Sequence, residues 1–278
     1  MRFAICNELF EGWDFRRVVE FVAETGYEGL EIAPFTLGET VEEISADRRQ
    51  EVRKIAEDRG IVLAGLHWLL VKPAGLHLLS PEENVRRRTV DYLRRLIDFC
   101  ADIGGKVMVF GSPNQRSVPA GMERARAWEL ARESFAACGA TAASRGVTLC
   151  LEALPADLTN FLNTNAGIIE MVRAIDHPSI RMMLDVKSMC AESIGIPENI
   201  RACEGWFRHV HANDANLQGP GFGAVDFRPI LQTLRELKYR GFVSVEVFDF
   251  TPGPEVTARE SLRYMRNCLE PSNPLTRS

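Results

Sequence analysis

Two hydrophobic periods alternate along the chain, and the alternation repeats eight times. Short runs that are apolar nearly throughout occupy residues 2–9, 29–34, 61–71, 106–113, 147–155, 180–189, 207–214 and 241–250. Brevity and continuous apolar character predict strands covered on both faces, as in a parallel sheet. Between them the apolar spacing lengthens to that of helices, in the segments 14–26, 45–60, 80–105 and 124–146. The second half continues with helical patterns at 165–177, 226–241 and 254–269, and a weaker one at 197–206. Many of these segments open on Ser, Asp, Thr or Pro and close on Gly, the residues that start and stop helices.

Eight strand–helix units in strict order predict an α/β fold, a single-domain (β/α)8 TIM barrel over residues 1–270. An open doubly wound sheet is the other arrangement such a pattern allows, but no GxGxxG follows the first strand. The closing segment EPSNPLTRS has no apolar period, and residues 271–278 are expected to be a flexible tail. No composition shift marks a second domain.

Composition narrows the function. With 33 Lys and Arg against 38 Asp and Glu, the net charge of −5 argues against a nucleic-acid partner held by phosphate neutralisation. No apolar run is long enough to span a membrane, and Glu8 interrupts the N-terminal run before a signal-peptide core forms. The seven cysteines include no CxxC pair and mostly sit inside apolar patterns, as reduced thiols of a cytoplasmic protein do.

In such a barrel, chemistry gathers where strands end. The ends of strands 5 to 8 carry Glu152 in CLEALP, Asp185 in MMLDVK, His211 in HVHAND and Glu246 in SVEVFD, each about one strand–helix unit from the last. One acid at a strand end is usually solvated or paired. Three at the ends of apolar strands are costly without countercharge, and Lys187 is the one basic residue near those ends. A divalent cation resolves the conflict. Three carboxylates and one imidazole suit Mn²⁺, with Mg²⁺ or Co²⁺ as alternatives, better than structural Zn²⁺. His209 shares a face with His211 one layer deeper and reads as a satisfied core histidine.

These motifs, with CNELF, GYEGLEIAPF and HVHAND…GPGFGAVDF, resemble the xylose-isomerase-like sugar isomerase/epimerase superfamily. The similarity is greatest to its ketose 3-epimerase and hydroxypyruvate isomerase branch. The resemblance implies that Glu152, Asp185, His211 and Glu246 bind one divalent metal and that Glu152 and Glu246 also move protons. It implies a metal-dependent isomerase or epimerase of carbohydrate metabolism, transferring a proton next to a carbonyl, with a small sugar or keto-sugar as substrate. The resemblance is to proteins that are often homo-dimers or tetramers, and it implies the same for this chain.

The chain departs from the branch at three places. Ser188 stands where a His is usual, Leu217 and Gln218 where an Arg is usual, and Asp157 and Leu158 where a Glu is usual. Those positions grip one end of a free ketose, so the departures leave the metal set intact and the sugar open. A lyase or dehydratase acting on a keto-sugar or 3-keto-glycoside would use the same enolisation. A metal-dependent sugar-binding barrel without turnover is the rival from another class. His67, Trp68, Glu8, Arg116 and Lys187 fall near the same rim and are expected to contact substrate. Asn213, Asp214 and Asn216 are expected to shape their loop. A zinc nuclease of the same barrel type would need more than the five histidines present, and an amidohydrolase would carry its HxH on the first strand.

Overall fold

The computed structural model describes residues 1–270, so the expected tail at 271–278 lies outside the described residues. Eight strands form in chain order: β1 (Arg2–Cys6), β2 (Gly29–Ile32), β3 (Val62–Leu66), β4 (Val107–Phe110), β5 (Thr148–Leu151), β6 (Ile180–Asp185), β7 (Phe207–Ala212) and β8 (Phe242–Val245). Each pairs in parallel with the next, and β8 returns to β1 with Arg2 opposite Phe242. That closure selects the TIM barrel over an open sheet.

Around it run α1 (Phe15–Thr25), α2 (Ala46–Glu57), α3 (Glu83–Asp102), α4 (Pro113–Arg116), α5 (Arg124–Arg145), α6 (Asn165–Ile175), α7 (Val186–Met189), α8 (Ile196–Ala202), α9 (Phe227–Glu236) and α10 (Pro254–Leu269). The polar starts read from sequence act as caps. Asp14 accepts from Arg16 N–H, Ser45 from Arg48, Thr164 from Gly167 and Asp226 from Arg228. Each satisfies a backbone donor that the first turn leaves free.

The strands are shorter than the apolar runs that predict them. After β1 the chain turns into a short 3-10 helix at Asn7–Phe10, and after β6 into α7. Leu9, Phe10, Val186 and Met189 in those turns are still buried. Apolar character reports burial, and the rim loops are buried without being in the ladder.

Inside the barrel, side chains two residues apart share the inner face. Two small apolar clusters form there, Ala4 with Ala64 and Phe242, and Val109 with Cys150 and Met183. The next inward positions are Glu152 above Cys150 and Asp185 above Met183. Polar groups thus crown a packed interior at the carboxyl ends of the strands. Between β3 and β4 the backbones approach so closely that a Cβ on Gly65 would meet the Val107 carbonyl oxygen at 1.8 Å. All seven cysteines are free, with Cys190 alone exposed. No helix among the described residues is long and apolar enough to cross a membrane.

Candidate metal centre and active site

Glu152 follows β5 directly, Asp185 ends β6, His211 lies one residue from the end of β7, and Glu246 follows β8. Each offers one ligand atom, and these four atoms all lie within 4.8 Å of one another. All four residues are buried. Room for the Glu152 carboxylate is made by Gly111, where a Cβ would sit 2.3 Å from Oε2.

Neighbouring strands brace the four. Asp185 Oδ1 accepts from Ser188 N–H at 2.7 Å, and its Oδ2 accepts from the Asn213 amide at 2.6 Å. Asn213, expected only to shape its loop, therefore reaches back to β6, whereas Asp214 and Asn216 bond within their own loop. His211 Nε2 faces both oxygens of Glu31 at 3.2 Å, and the same Glu31 meets His209 Nε2 at 2.8 Å. His209 is thus a buried histidine with a charged partner. Glu31 is fully buried, and it turns the Nδ1 edge of His211 toward the rim.

Glu246 Oε1 accepts from Trp68 Nε1 and pairs with His67 Nδ1, both at 3.1 Å. His67 Nε2 lies 2.9 Å from Glu8 Oε2. Glu8 thus backs His67. Lys187, His67 and Trp68 line a cavity of about 560 Å³ whose floor holds Glu152 and Glu246.

Arg116 corrects the sequence reading. Expected to reach substrate, it is instead fully buried and absent from that cavity's lining. Its guanidinium donates to the backbone carbonyls of Glu152 at 2.6 Å and Leu162 at 3.1 Å. It fastens the loop after β5 and holds Glu152 from behind.

Orphaned atoms test whether a cation fits. His211 Nδ1 and Glu246 Oε2 lie 3.0 Å apart without a hydrogen bond between them, as do His67 Nε2 and Glu8 Oε2 at 2.9 Å, and all four atoms are buried. Buried polar groups are rarely left this way. The lone pairs of His211 and Glu246 converge with those of Glu152 and Asp185, so the donor set suits a hard divalent ion.

The electrostatics carry the same strain. Burial, then the charges of Asp185 and Glu246, push the Glu152 carboxyl up to about 8. Burial and Glu246 also raise Asp185. Burial acts against ionisation of Glu246 as well, but His211 and His67 outweigh it and hold that carboxyl below its usual range. His211 is raised well above an ordinary imidazole, the charges of Glu246 and Glu31 outweighing its burial.

A pH dependence follows for chelated protein. Folded Glu152 keeps a proton up to about 8, whereas the unfolded chain releases it near the ordinary 4.5. Its contribution to stability is complete below that lower value and is lost as pH rises to the upper one. Raised Asp185 and His211 act in the same direction. Glu246, held low, acts oppositely but only below 4.5. Chelated protein is expected to melt at a lower temperature at about pH 8 than at about pH 5.5. A flat or rising melting temperature over that range contradicts the electrostatics.

The sequence reading places Glu31 in the second strand but gives it no role, although the signal was present: it is the one charged residue inside the apolar run 29–34. Partners that orient a ligating histidine typically matter by about 10- to 100-fold in metal affinity. Glu31→Gln is expected to weaken Mn²⁺ binding by that factor in calorimetry. Unchanged affinity would show that Glu31 does not orient His211.

The pattern of the family described as "Xylose isomerase-like TIM barrel" matches residues 19–268. A D-psicose 3-epimerase of Ruminiclostridium cellulolyticum is 28% identical over 240 residues, covering 84% of this chain and 78% of its own. The 3-dehydro-D-guloside 4-epimerase of Escherichia coli is 22% identical over 277 residues, 96% of this chain and all (100%) of its own. Among solved structures, D-psicose 3-epimerase with D-tagatose from Clostridium cellulolyticum superposes with a TM-score of 0.86 at 24% identity, covering 98% of this chain and 100% of that one. The 3-keto-D-glucoside 4-epimerase of Escherichia coli gives 0.85 at 20% identity, covering 96% and 100%.

Proposed function

Because the chain belongs to the xylose isomerase-like TIM barrel family, we propose that it is a metal-dependent epimerase or isomerase of a keto-sugar. The observation that carries this reading is the convergence of Glu152 and Glu246 with Asp185 and His211, the two glutamates also lining the floor of the cavity. The names of the relatives, epimerases acting on keto-sugars, support it.

In this reading Glu152, Asp185, His211 and Glu246 hold the cation. When bound, it supplies a Lewis acid for the charge that develops on the substrate carbonyl oxygen. Glu152 and Glu246 move the proton on the adjacent carbon, one as base and the other as acid. His67 and Trp68 hold Glu246 Oε1 and so fix the direction in which that carboxylate works. Arg116 and Asn213 hold the backbone of Glu152 and the carboxylate of Asp185. His67, Trp68 and Lys187 contact the sugar from the cavity wall, and Glu8 keeps His67 in place. Return of the proton to the opposite face inverts the centre, return to the neighbouring carbon isomerises, and a leaving group β to the carbanion turns the step into elimination.

The reading takes Mn²⁺ as the ion, with Mg²⁺ and Co²⁺ as alternatives that oxygen-rich donors accept. It also takes the protein as a cytoplasmic homo-dimer or tetramer. NMR of Mn²⁺-treated protein, quenched with chelator before recording, after incubation in D₂O with ketoses, 3-keto-glycosides and hydroxypyruvate tests the reaction. Deuterium is expected at a carbon beside the carbonyl, and the product separates the three outcomes. Binding without exchange in any of them would leave a sugar-binding barrel instead.

A further inference from the structure

Eight large hydrophobic side chains are exposed among the described residues, and four of them line the single cavity above Glu152 and Glu246. These are Val71 (43% exposed), Leu158 (42%), Leu217 (40%) and Phe248 (40%), from the loops after β3, β5, β7 and β8. Solitary exposed apolar residues are ordinary, but a convergent set marks a binding surface. A flat wall stands among them, with Trp68 stacked on Phe248 at 6.1 Å between ring centroids and 25° between planes.

Leu217 is held in place at a conformational cost. Its φ of 72° lies in the left-handed region, where leucine is unfavourable and Asn or Gly is at ease. Its carbonyl accepts from Phe248 N–H at 2.8 Å and Asp249 N–H at 2.9 Å, locking the two loops together. A strained backbone that presents a hydrocarbon side chain to an open cavity points to a ligand contact.

The cavity is therefore polar at its floor, where Glu152, Glu246 and His67 lie, and toward its mouth the four apolar side chains stand beside Asn114, Gln115 and Lys187, the last with its ammonium 5.9 Å from the Phe248 ring. A free ketose carries hydroxyls along its whole length and would turn some of them toward Leu158, Leu217, Val71 and Phe248. Resting on the keto-sugar reading above, we infer that the substrate is a keto-glycoside whose aglycone is apolar and aromatic. The sugar reaches the carboxylates, and the aglycone lies against the collar and the Trp68–Phe248 wall.

The test compares phenyl 3-keto-glucoside with methyl 3-keto-glucoside by calorimetry on Mn²⁺-loaded protein. The phenyl compound is expected to bind at least about tenfold more tightly, the scale of burying one aromatic ring. Leu158→Ser and Leu217→Asn, each at an exposed position, are expected to reduce that ratio to about threefold or less. Both variants should keep the Mn²⁺ affinity and the affinity for the methyl compound. Equal binding of the two probes, no binding of either, or a ratio untouched by both variants overturns the inference. So does a change of oligomeric state in Leu217→Asn without a phenyl preference, which would make the collar a contact between copies. Deuterium exchange without phenyl preference sinks this inference alone. Phenyl preference without exchange supports the collar and sinks the catalytic reading.

Discussion

Glu246→Gln is expected to slow deuterium exchange into a keto-sugar by about 10³-fold or more while the protein stays folded. One carboxylate is asked to do two things there. It supplies an oxygen to the four-atom cluster, and in the proposed reaction it also takes or returns the proton, a role worth about 10²- to 10⁴-fold by itself. Glutamine keeps the shape and can still accept from Trp68 Nε1 through its amide oxygen, but it neither carries the proton nor balances His211. The histidines that hold Glu246 ionised would then face a neutral group. Exchange rates by NMR and a melting curve check the two halves of the expectation. Exchange within tenfold of the parent would remove Glu246 from the proton transfer.

Stripping the metal is the second large effect. Chelation is expected to bring exchange to background and to lower the melting temperature, and Mn²⁺ to restore both. A cation at 100 times its dissociation constant stabilises by about 2.7 kcal/mol, which in a chain of this size corresponds to roughly 5–10 °C. The stabilisation arises because Glu152, Asp185 and Glu246 repel one another in a buried setting, raising the first two carboxyls. Metal binding competes with those protons, so the restored increment should grow as pH rises. Differential scanning fluorimetry with and without chelator measures it. Full exchange activity in exhaustively chelated protein would contradict a metal-dependent reaction.

Much of the barrel was legible because one principle governs all eight strands. A strand covered on both faces must be apolar, so a carboxylate or imidazole at its end stands out. That contrast marked Glu152, Asp185, His211 and Glu246. The same contrast was present at Glu31 but was not followed to its partners, since they lie across the barrel on β7. Arg116 was misread for a different reason. A basic residue after a strand looks the same in sequence whether it meets solvent or two backbone carbonyls, and only the fold of the loop after β5 decides. Asn213 was half legible: its loop role was clear, but its bond to Asp185 depends on the register of β6 with β7. The apolar collar was not legible at all. Leu158, Leu217, Val71 and Phe248 are scattered over four loops, and each alone passes for a core residue.

Anomalous diffraction at the manganese edge from crystals grown with Mn²⁺ tests the central claim most directly. One peak is expected within about 2.0–2.6 Å of an oxygen of Glu152, Asp185 and Glu246 and of His211 Nδ1. A peak elsewhere, or none among these four residues at saturating Mn²⁺, would contradict it.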